Sequence, residues 1–269
     1  MKNLGNLYLE NLGIKDSELT VDTLNAIVNA HLSNYSFNNL EVLLNKGEIL
    51  SLELEDLYKK VVTSRDGGYC FEHNKLVYYV LKDLGFDATS YLGRVVYGRD
   101  VDAPRTHRTT IVKVENAEYL LDVGFGPYSP MCIIPLSGET VVDPCGTTYR
   151  VVKKNEREFQ LEALRDGEYF TLYVFDLGIY QESDYMVANY YTNTYHGSKF
   201  VNELIVSIKK DGTIYLVSNF LFSKLLNGER EDFEIDTADK MSEILKDFFD
   251  LETDVQKVKS LLDAYLDSL

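Results

Sequence analysis

Cys70 stands in the run Arg65-Asp66-Gly67-Gly68-Tyr69-Cys70-Phe71-Glu72-His73-Asn74, where two adjacent glycines lead into an amphipathic stretch. Paired glycines allow backbone angles and close approaches that other residues resist. The stretch that follows predicts a helix opening near Cys70. A helix N-terminus favours a thiolate through its free N–H groups and macrodipole. Such a thiolate is a better nucleophile, and the same N–H groups can hold the oxyanion formed in acyl transfer. A lone buried cysteine is ordinarily a small core residue. The Gly-Gly approach, the helix start and nearby Arg65 set Cys70 apart, whereas Cys132 and Cys145 lack that setting and read as structural.

A nucleophile of this kind needs a base, and the base needs an orienting group. His107 opens a strand-like run, Pro104-Arg105-Thr106-His107-Arg108-Thr109-Thr110, and Asp122 closes the next one after Leu120 and Leu121. A carboxylate in such an apolar strand is costly unless it is hydrogen-bonded. With Glu115-Asn116 as a two-residue loop, Val114 pairs with Ala117, Asp122 faces Thr109, and His107 lies diagonal to it within side-chain reach. With Asn116-Ala117 as the loop, Asp122 faces Ile111 and the histidine lies four residues away, about 13 Å at strand rise. Sequence leaves both registers open. His31, on an apolar helix face, reads as structural and His196 as a loop residue. His73, about one helical turn past Cys70, is a rival base. No metal is expected, because Cys70 and His73 lack a second pair at short spacing.

The elements that must position these groups change texture along the chain. The first ninety residues have helical periodicity: Leu24, Ile27, Val28 and Leu32 in 21–32, capped by Asp22 or Thr23, then 51–62, then 70–84 stopped by Gly85. From residue 89 short runs rich in Val, Ile, Thr and Tyr predict antiparallel strands over 90–97, 108–114, 118–123, 147–153, 158–164 and 169–175. A further hairpin spans 204–209 and 213–217, and helices are expected over 241–251 and 255–266. This is an α+β pattern gathered around one site.

Composition narrows the function. With 27 Lys and Arg against 43 Asp and Glu, the net charge of −16 disfavours nucleic acid. No segment reaches the roughly 20 apolar residues of a membrane helix. The first residues, Met1-Lys2-Asn3-Leu4-Gly5-Asn6, lack a signal peptide's apolar stretch. Three cysteines make no disulfide scaffold and suit a reducing compartment, so a cytoplasmic location is expected.

Taken together, the Cys70 run resembles the signature of the arylamine N-acetyltransferases. Pro104-Arg105-Thr106-His107 and Asp122-Val123-Gly124-Phe125-Gly126 resemble that family's second and third blocks. Ser36-Phe37-Asn38-Asn39-Leu40 is similar to an early block, and His196-Gly197-Ser198-Lys199-Phe200 to a late one. The resemblance implies a helical bundle (1–88) carrying Cys70, a β-barrel (89–195) carrying His107 and Asp122, and an α/β lid (196–269), around a cysteine-protease-like core. It implies ping-pong transfer from acetyl-coenzyme A, with no permanently bound cofactor, through acetyl-Cys70 to an arylamine or arylhydrazine. By the same resemblance Phe37 and Phe125 line the acceptor pocket, and Thr106, Gly124, Phe125 and Phe200 lie near the coenzyme. Two positions depart from the pattern: Asn38 where the family usually has Glu, and Gly197 where proline is common. Loss of that Glu would leave Arg65 to pair with Asp66 or Glu72.

A cysteine hydrolase or transglutaminase-like enzyme would use the same Cys–His–Asp set, since its first half-reaction is also acyl transfer to sulfur. A non-catalytic binding module would have no physical need for all three residues. A thiol redox sensor would need a resolving cysteine near Cys70. An anionic coenzyme on an acidic protein calls for local positive charge, for which Arg99, Arg105 and Arg108 are the candidates.

Overall fold

The structure, a computed structural model, describes residues 2–45, 47–99 and 101–266. It opens with α1 (Leu4–Asn11), α2 (Val21–Asn34), the two-residue β1 (Phe37–Asn38), α3 (Leu40–Leu44), α4 (Leu54–Leu57) and α5 (Cys70–Leu84). Helix α2 buries Leu24, Ile27, Val28 and Leu32, as its periodicity requires. Its cap is Thr20, whose hydroxyl accepts from Thr23 N at 3.2 Å, rather than Asp22 or Thr23. The helix expected over 51–62 is two pieces, because α4 runs on into a π-turn at Tyr58–Thr63. Helix α5 buries Phe71, Leu76, Val77, Val80 and Leu81 and ends on Gly85 at φ 97°, a left-handed cap that glycine adopts without a Cβ penalty.

The strands that follow are β2 (Asp87–Val95), β3 (Arg105–Val114), β4 (Ala117–Leu121), β5 (Ile134–Pro135), β6 (Val141–Val142), β7 (Thr148–Lys153), β8 (Glu158–Arg165) and β9 (Glu168–Asp176). They form one antiparallel sheet in the order β5-β4-β3-β2-β9-β8-β7-β6, and β5 packs beside β7, so the sheet curls into a nearly closed barrel. The β3–β4 hairpin takes the first of the two registers: Val114 pairs with Ala117 and Thr110 with Leu121. Its loop residues Glu115 and Asn116 both have positive φ, 52° and 70°, matching a two-residue turn whose twist suits the strands.

Next come α6 (Glu182–Thr194), β10 (Ile205–Lys210), β11 (Thr213–Ser218), β12 (Leu221–Leu226), β13 (Glu229–Glu234), α7 (Ala238–Phe249) and α8 (Val255–Leu266). Helix α6 occupies the end of the stretch expected to be barrel, and β12 and β13 had no expectation. Strands β10–β13 form an antiparallel sheet whose other edge is β1, where Phe37 pairs with Ser207 and Asn38 with Val206. The chain's early residues thus complete its late sheet. Lys209, buried in β10, donates to Ser129 O at 2.6 Å and pairs with Asp143 at 3.4 Å, tying that sheet to the barrel. The fold is α+β, and no helix among the described residues is long and apolar enough to cross a membrane.

Candidate active site

The turn before α5 is closed by backbone. Gly67 has φ +66°, and a Cβ there would overlap Ser36 O. Ser36 O accepts from Gly68 N at 3.3 Å, and Gly68 O from Asn38 N at 2.7 Å. Tyr69 is extended and Cys70 is the first helical residue, as expected. Glu72 Oε2 accepts from Tyr69 N at 3.0 Å, so a carboxylate satisfies the N–H just before the helix, while its Oε1 takes Lys60 Nζ at 2.7 Å.

Cys70 is 3% exposed and its Sγ lies 3.5 Å from Thr106 O, the carbonyl just before His107. His107 Nε2 bonds Asp122 Oδ2 at 2.6 Å, with both residues buried. The other carboxylate oxygen accepts from Asn74 Nδ2 and from Gly124 N, each at 2.9 Å. Asn74 also donates to Arg108 O at 2.6 Å and accepts from Val123 N at 3.0 Å, stitching α5 to both hairpin strands. A Cβ on Gly124 would come within 2.8 Å of Cys70 Cα, so only glycine lets the segment after Asp122 lie on the nucleophile's helix.

These contacts decide charge. Burial alone would raise the Asp122 carboxyl, but His107, Asn74 and Gly124 outweigh it and hold it below the usual carboxylate range. An ionised Asp122 accepts from Nε2–H, leaving Nδ1 as the basic nitrogen of His107. Burial, then the Asp122 charge, push the Cys70 thiol up, while N–H contacts from Arg108 and Phe71 pull part of the way back. The helix N-terminus therefore does not ionise the sulfur by itself. A thiolate here needs a proton acceptor beside it.

Aromatic side chains enclose the sulfur's surroundings. Phe125 meets the His107 ring edge-on at 5.0 Å, and Tyr173 of β9 lies 4.6 Å from it. Phe37 packs on Phe200 at 6.1 Å, and Phe200 on Tyr69 at 5.7 Å. Asn39 holds that arrangement, donating to Phe200 O at 2.8 Å and Glu203 O at 2.7 Å. Thr106 and Gly124 approach Cys70, Asp122 and Phe125 meet His107, and Phe200, with Phe37 packed on it, meets Tyr69. Asn74 and Tyr173 were not anticipated. Asn74 stands four residues after Cys70, on the same helix face, which is a usable signal. Tyr173 arrives from a distant strand and has none.

Four expectations need correction. His73 is not a rival base: its Nδ1 bonds His31 Nε2 at 2.7 Å, its Nε2 donates to Ser36 O at 3.1 Å, and Tyr8 O–H completes the chain on His31. Arg65 is exposed and pairs with neither Asp66 nor Glu72, the latter being taken by Lys60. Arg108 is fully buried on the far face of β3, against Glu182 at 3.1 Å and the Tyr185 ring at 4.0 Å, because side chains alternate along a strand. Arg105 is committed to Asp176 at 2.5 Å. A cavity of about 580 Å³ lies elsewhere, behind Glu72, lined by Asn38, Lys60, Asp66, Leu251 and Lys257 among others, and by none of Cys70, His107 and Asp122.

Comparison with known proteins places the chain in a family. Residues 20–258 match a family model described as N-acetyltransferase. The arylamine N-acetyltransferase of Mycolicibacterium smegmatis is 34% identical over 252 residues, covering 91% of this chain and 90% of the relative. A Salmonella typhimurium protein named arylamine N-acetyltransferase / N-hydroxyarylamine O-acetyltransferase is 30% identical over 248 residues, covering 91% and 86%. The solved structure of the Salmonella typhimurium arylamine N-acetyltransferase superposes with a TM-score of 0.90 at 28% identity, covering 98% of this chain and 99% of that one. That of the Mycobacterium marinum arylamine N-acetyltransferase in complex with CoA superposes at 0.88, again 28% identical, covering 96% and 97%.

Proposed function

The chain belongs to the arylamine N-acetyltransferase family, an acyltransferase family, and from that premise we propose that it works by two half-reactions through a thioester on Cys70. In the first, His107 Nδ1 takes the thiol proton and the sulfur attacks the acetyl carbonyl of acetyl-coenzyme A. A bond forms to Cys70 sulfur as the coenzyme's sulfur–carbon bond breaks, and His107 returns the proton to the leaving thiolate. In the second, the nitrogen of an arylamine or arylhydrazine attacks acetyl-Cys70. The carbon–nitrogen bond forms, the thioester breaks, and the amine proton passes through His107 to the cysteine sulfur. Asp122 keeps the imidazole in the tautomer that both steps need.

The observation that carries this reading is the buried 2.6 Å His107–Asp122 bond beside a cysteine at a helix start. The N–H groups of Glu72 and His73 are spent on Tyr69 O, which leaves those of Cys70 and Phe71 to meet a developing oxyanion. Phe37 and Phe125 are assigned to the acceptor pocket, and Thr106, Gly124, Phe125 and Phe200 to the coenzyme's surroundings. Three free thiols suit the reducing cytoplasm.

Intact mass spectrometry after mixing with acetyl-coenzyme A tests the proposal. One acetyl group on Cys70, absent in Cys70→Ser and discharged by an aromatic amine, is the expected result. Steady release of acetate without amine would mean a hydrolase instead.

A further inference from the structure

Helix α6 contributes nothing to the Cys–His–Asp set, yet it turns polar side chains inward beside Tyr185 and Ala188 and apolar ones outward. Its outer face carries Met186, Val187 and Tyr190, which are 63%, 72% and 56% exposed. Its inner stripe carries Glu182, Asn189 and Asn193, spaced seven and four residues apart and hence on one face. Polar groups turned inward are costly unless each is bonded. The partners they find surround the nucleophile. Asn193 Nδ2 donates to the Tyr69 hydroxyl oxygen at 2.6 Å, Tyr69 O–H donates to Asn189 Oδ1, and Asn189 Nδ2 donates to Leu50 O at 3.0 Å. At the other end of the stripe, Glu182 pairs with Lys75 of α5 at 2.7 Å and Arg108 of β3 at 3.1 Å.

Tyr69 precedes Cys70, and Arg108 follows His107. The thiol and the imidazole come from different elements, α5 and β3, and α6 grips the chain next to each. We infer that Asn189 and Asn193, through the Tyr69 hydroxyl, are positioning residues that hold Cys70 in reach of His107. This rests on the proposed function for its chemistry. Glu72 already fixes the Tyr69 main chain at its N–H, so the hydroxyl pair fixes what remains, the tilt of the side chain and of the turn it carries. The same ring packs on Phe200 at 5.7 Å, so its tilt also reaches the pocket.

Tyr69→Phe removes the hydroxyl and keeps the ring. Single-turnover acetylation of Cys70 should slow about tenfold, with KM for acetyl-coenzyme A changed less than about twofold, since small misplacements act on rate before binding. The pH profile of Cys70 alkylation by iodoacetamide should move upward, because the thiolate depends on proton transfer to His107. Asn189→Ala should do the same, and should add little in the Tyr69→Phe background if both act through the one hydroxyl. Rates are taken per folded molecule from a titration of reactive thiol. Unchanged alkylation profiles in both single variants, or rate losses that multiply in the double variant, would overturn the inference. Absence of acetyl-Cys70 in the unaltered protein would overturn the proposed function instead. The alkylation profiles need no acetyl donor and still decide the role of α6.

Discussion

In the β3–β4 hairpin, His107 and Asp122 enter the site by the ordinary rules of a strand, alternation and a two-residue turn, and their bond follows from register. In α6, the groups that support the site do so against the ordinary rule for a helix, with Asn189 and Asn193 inside and Met186, Val187 and Tyr190 outside. The hairpin's own turn and register set the His107–Asp122 bond, and Asn74 of α5 holds the second carboxylate oxygen. In α6, Glu182, Asn189 and Asn193 acquire meaning from partners on other elements. The proposed chemistry draws on one hairpin's register and its support on a separate helix, so changes in the two regions should fail in different ways.

The largest effect belongs to the hairpin. Asp122→Asn keeps the shape of the carboxylate but lets the imidazole take the wrong tautomer; in a serine triad the analogous change costs about 10⁴-fold. A loss approaching that size is expected for acetylation by both acetyl-coenzyme A and p-nitrophenyl acetate, with little change in melting temperature. If one donor were spared, Asp122 would not be acting through His107.

The same division explains what could be read in advance. The Gly-Gly lead-in, the α5 start and its Gly85 stop, the apolar faces of α2 and α5, and the strand pattern from residue 89 are short-range signals and were legible. The hairpin narrowed to two registers, and the positive φ of Glu115 and Asn116 selects one. Helix α6 was not legible because Asn189, Thr192 and Asn193 share its buried face with Tyr185 and Ala188, while Met186 and Val187 face out, which blurs the amphipathic signal. Strand β13, Glu229–Glu234, escaped for a related reason: it is an exposed edge rich in charge, where alternation has nothing to report. Arg108, offered as a surface cation, shows the cost of judging a residue by its neighbours along the chain rather than by its strand face.

A second buried polar system extends the comparison to pH. Ser36 O can only accept, so the chain from Tyr8 through His31 and His73 has one arrangement of protons with both imidazoles neutral. Burial pulls His73 down to about 4 and His31 well below its usual value. Below about 6.5 the unfolded histidines take up protons that the native pair refuses, so stability should fall as pH drops from about 6.5 to about 4. For His73 alone the loss is on the order of 3 kcal/mol. Glu72, raised by burial, contributes with the opposite sign near the lower end of that window. Urea midpoints for the unaltered protein and His73→Gln separate the two, and an equally steep fall in the variant would sink the assignment.

A smaller effect is expected at the outer end of α6. Glu182→Gln leaves Arg108 buried with only aromatic faces for its charge, and its Nε and Nη1 already lack hydrogen-bond partners. Breaking a fully buried pair costs about 3–5 kcal/mol; with Glu182 38% exposed, about 2 kcal/mol is a fairer expectation. The urea midpoint should fall accordingly while turnover per folded molecule changes less than in Asp122→Asn. A variant as stable as the parent but equally inactive would break the distinction between the two regions.

The smallest effect tests where an anionic donor is met. With Arg108 buried and Arg105 held by Asp176, Arg99 is exposed and makes no ion pair among the described residues. It follows Tyr97, whose ring meets Tyr128 at 5.5 Å, in the turn just after Phe125, so its loop borders the proposed pocket. An exposed cation on a chain of net charge −16 acts chiefly by steering. Arg99→Gln should therefore raise KM for acetyl-coenzyme A only about twofold at low ionic strength. The difference should vanish near 1 M salt, where screening reaches about 3 Å, and p-nitrophenyl acetate should react at its original rate. Arg105→Gln should do less to KM, because its charge is already matched by Asp176. A salt-independent change, or one shared by the uncharged donor, would mean that the Arg99 loop shapes the site rather than steering charge toward it.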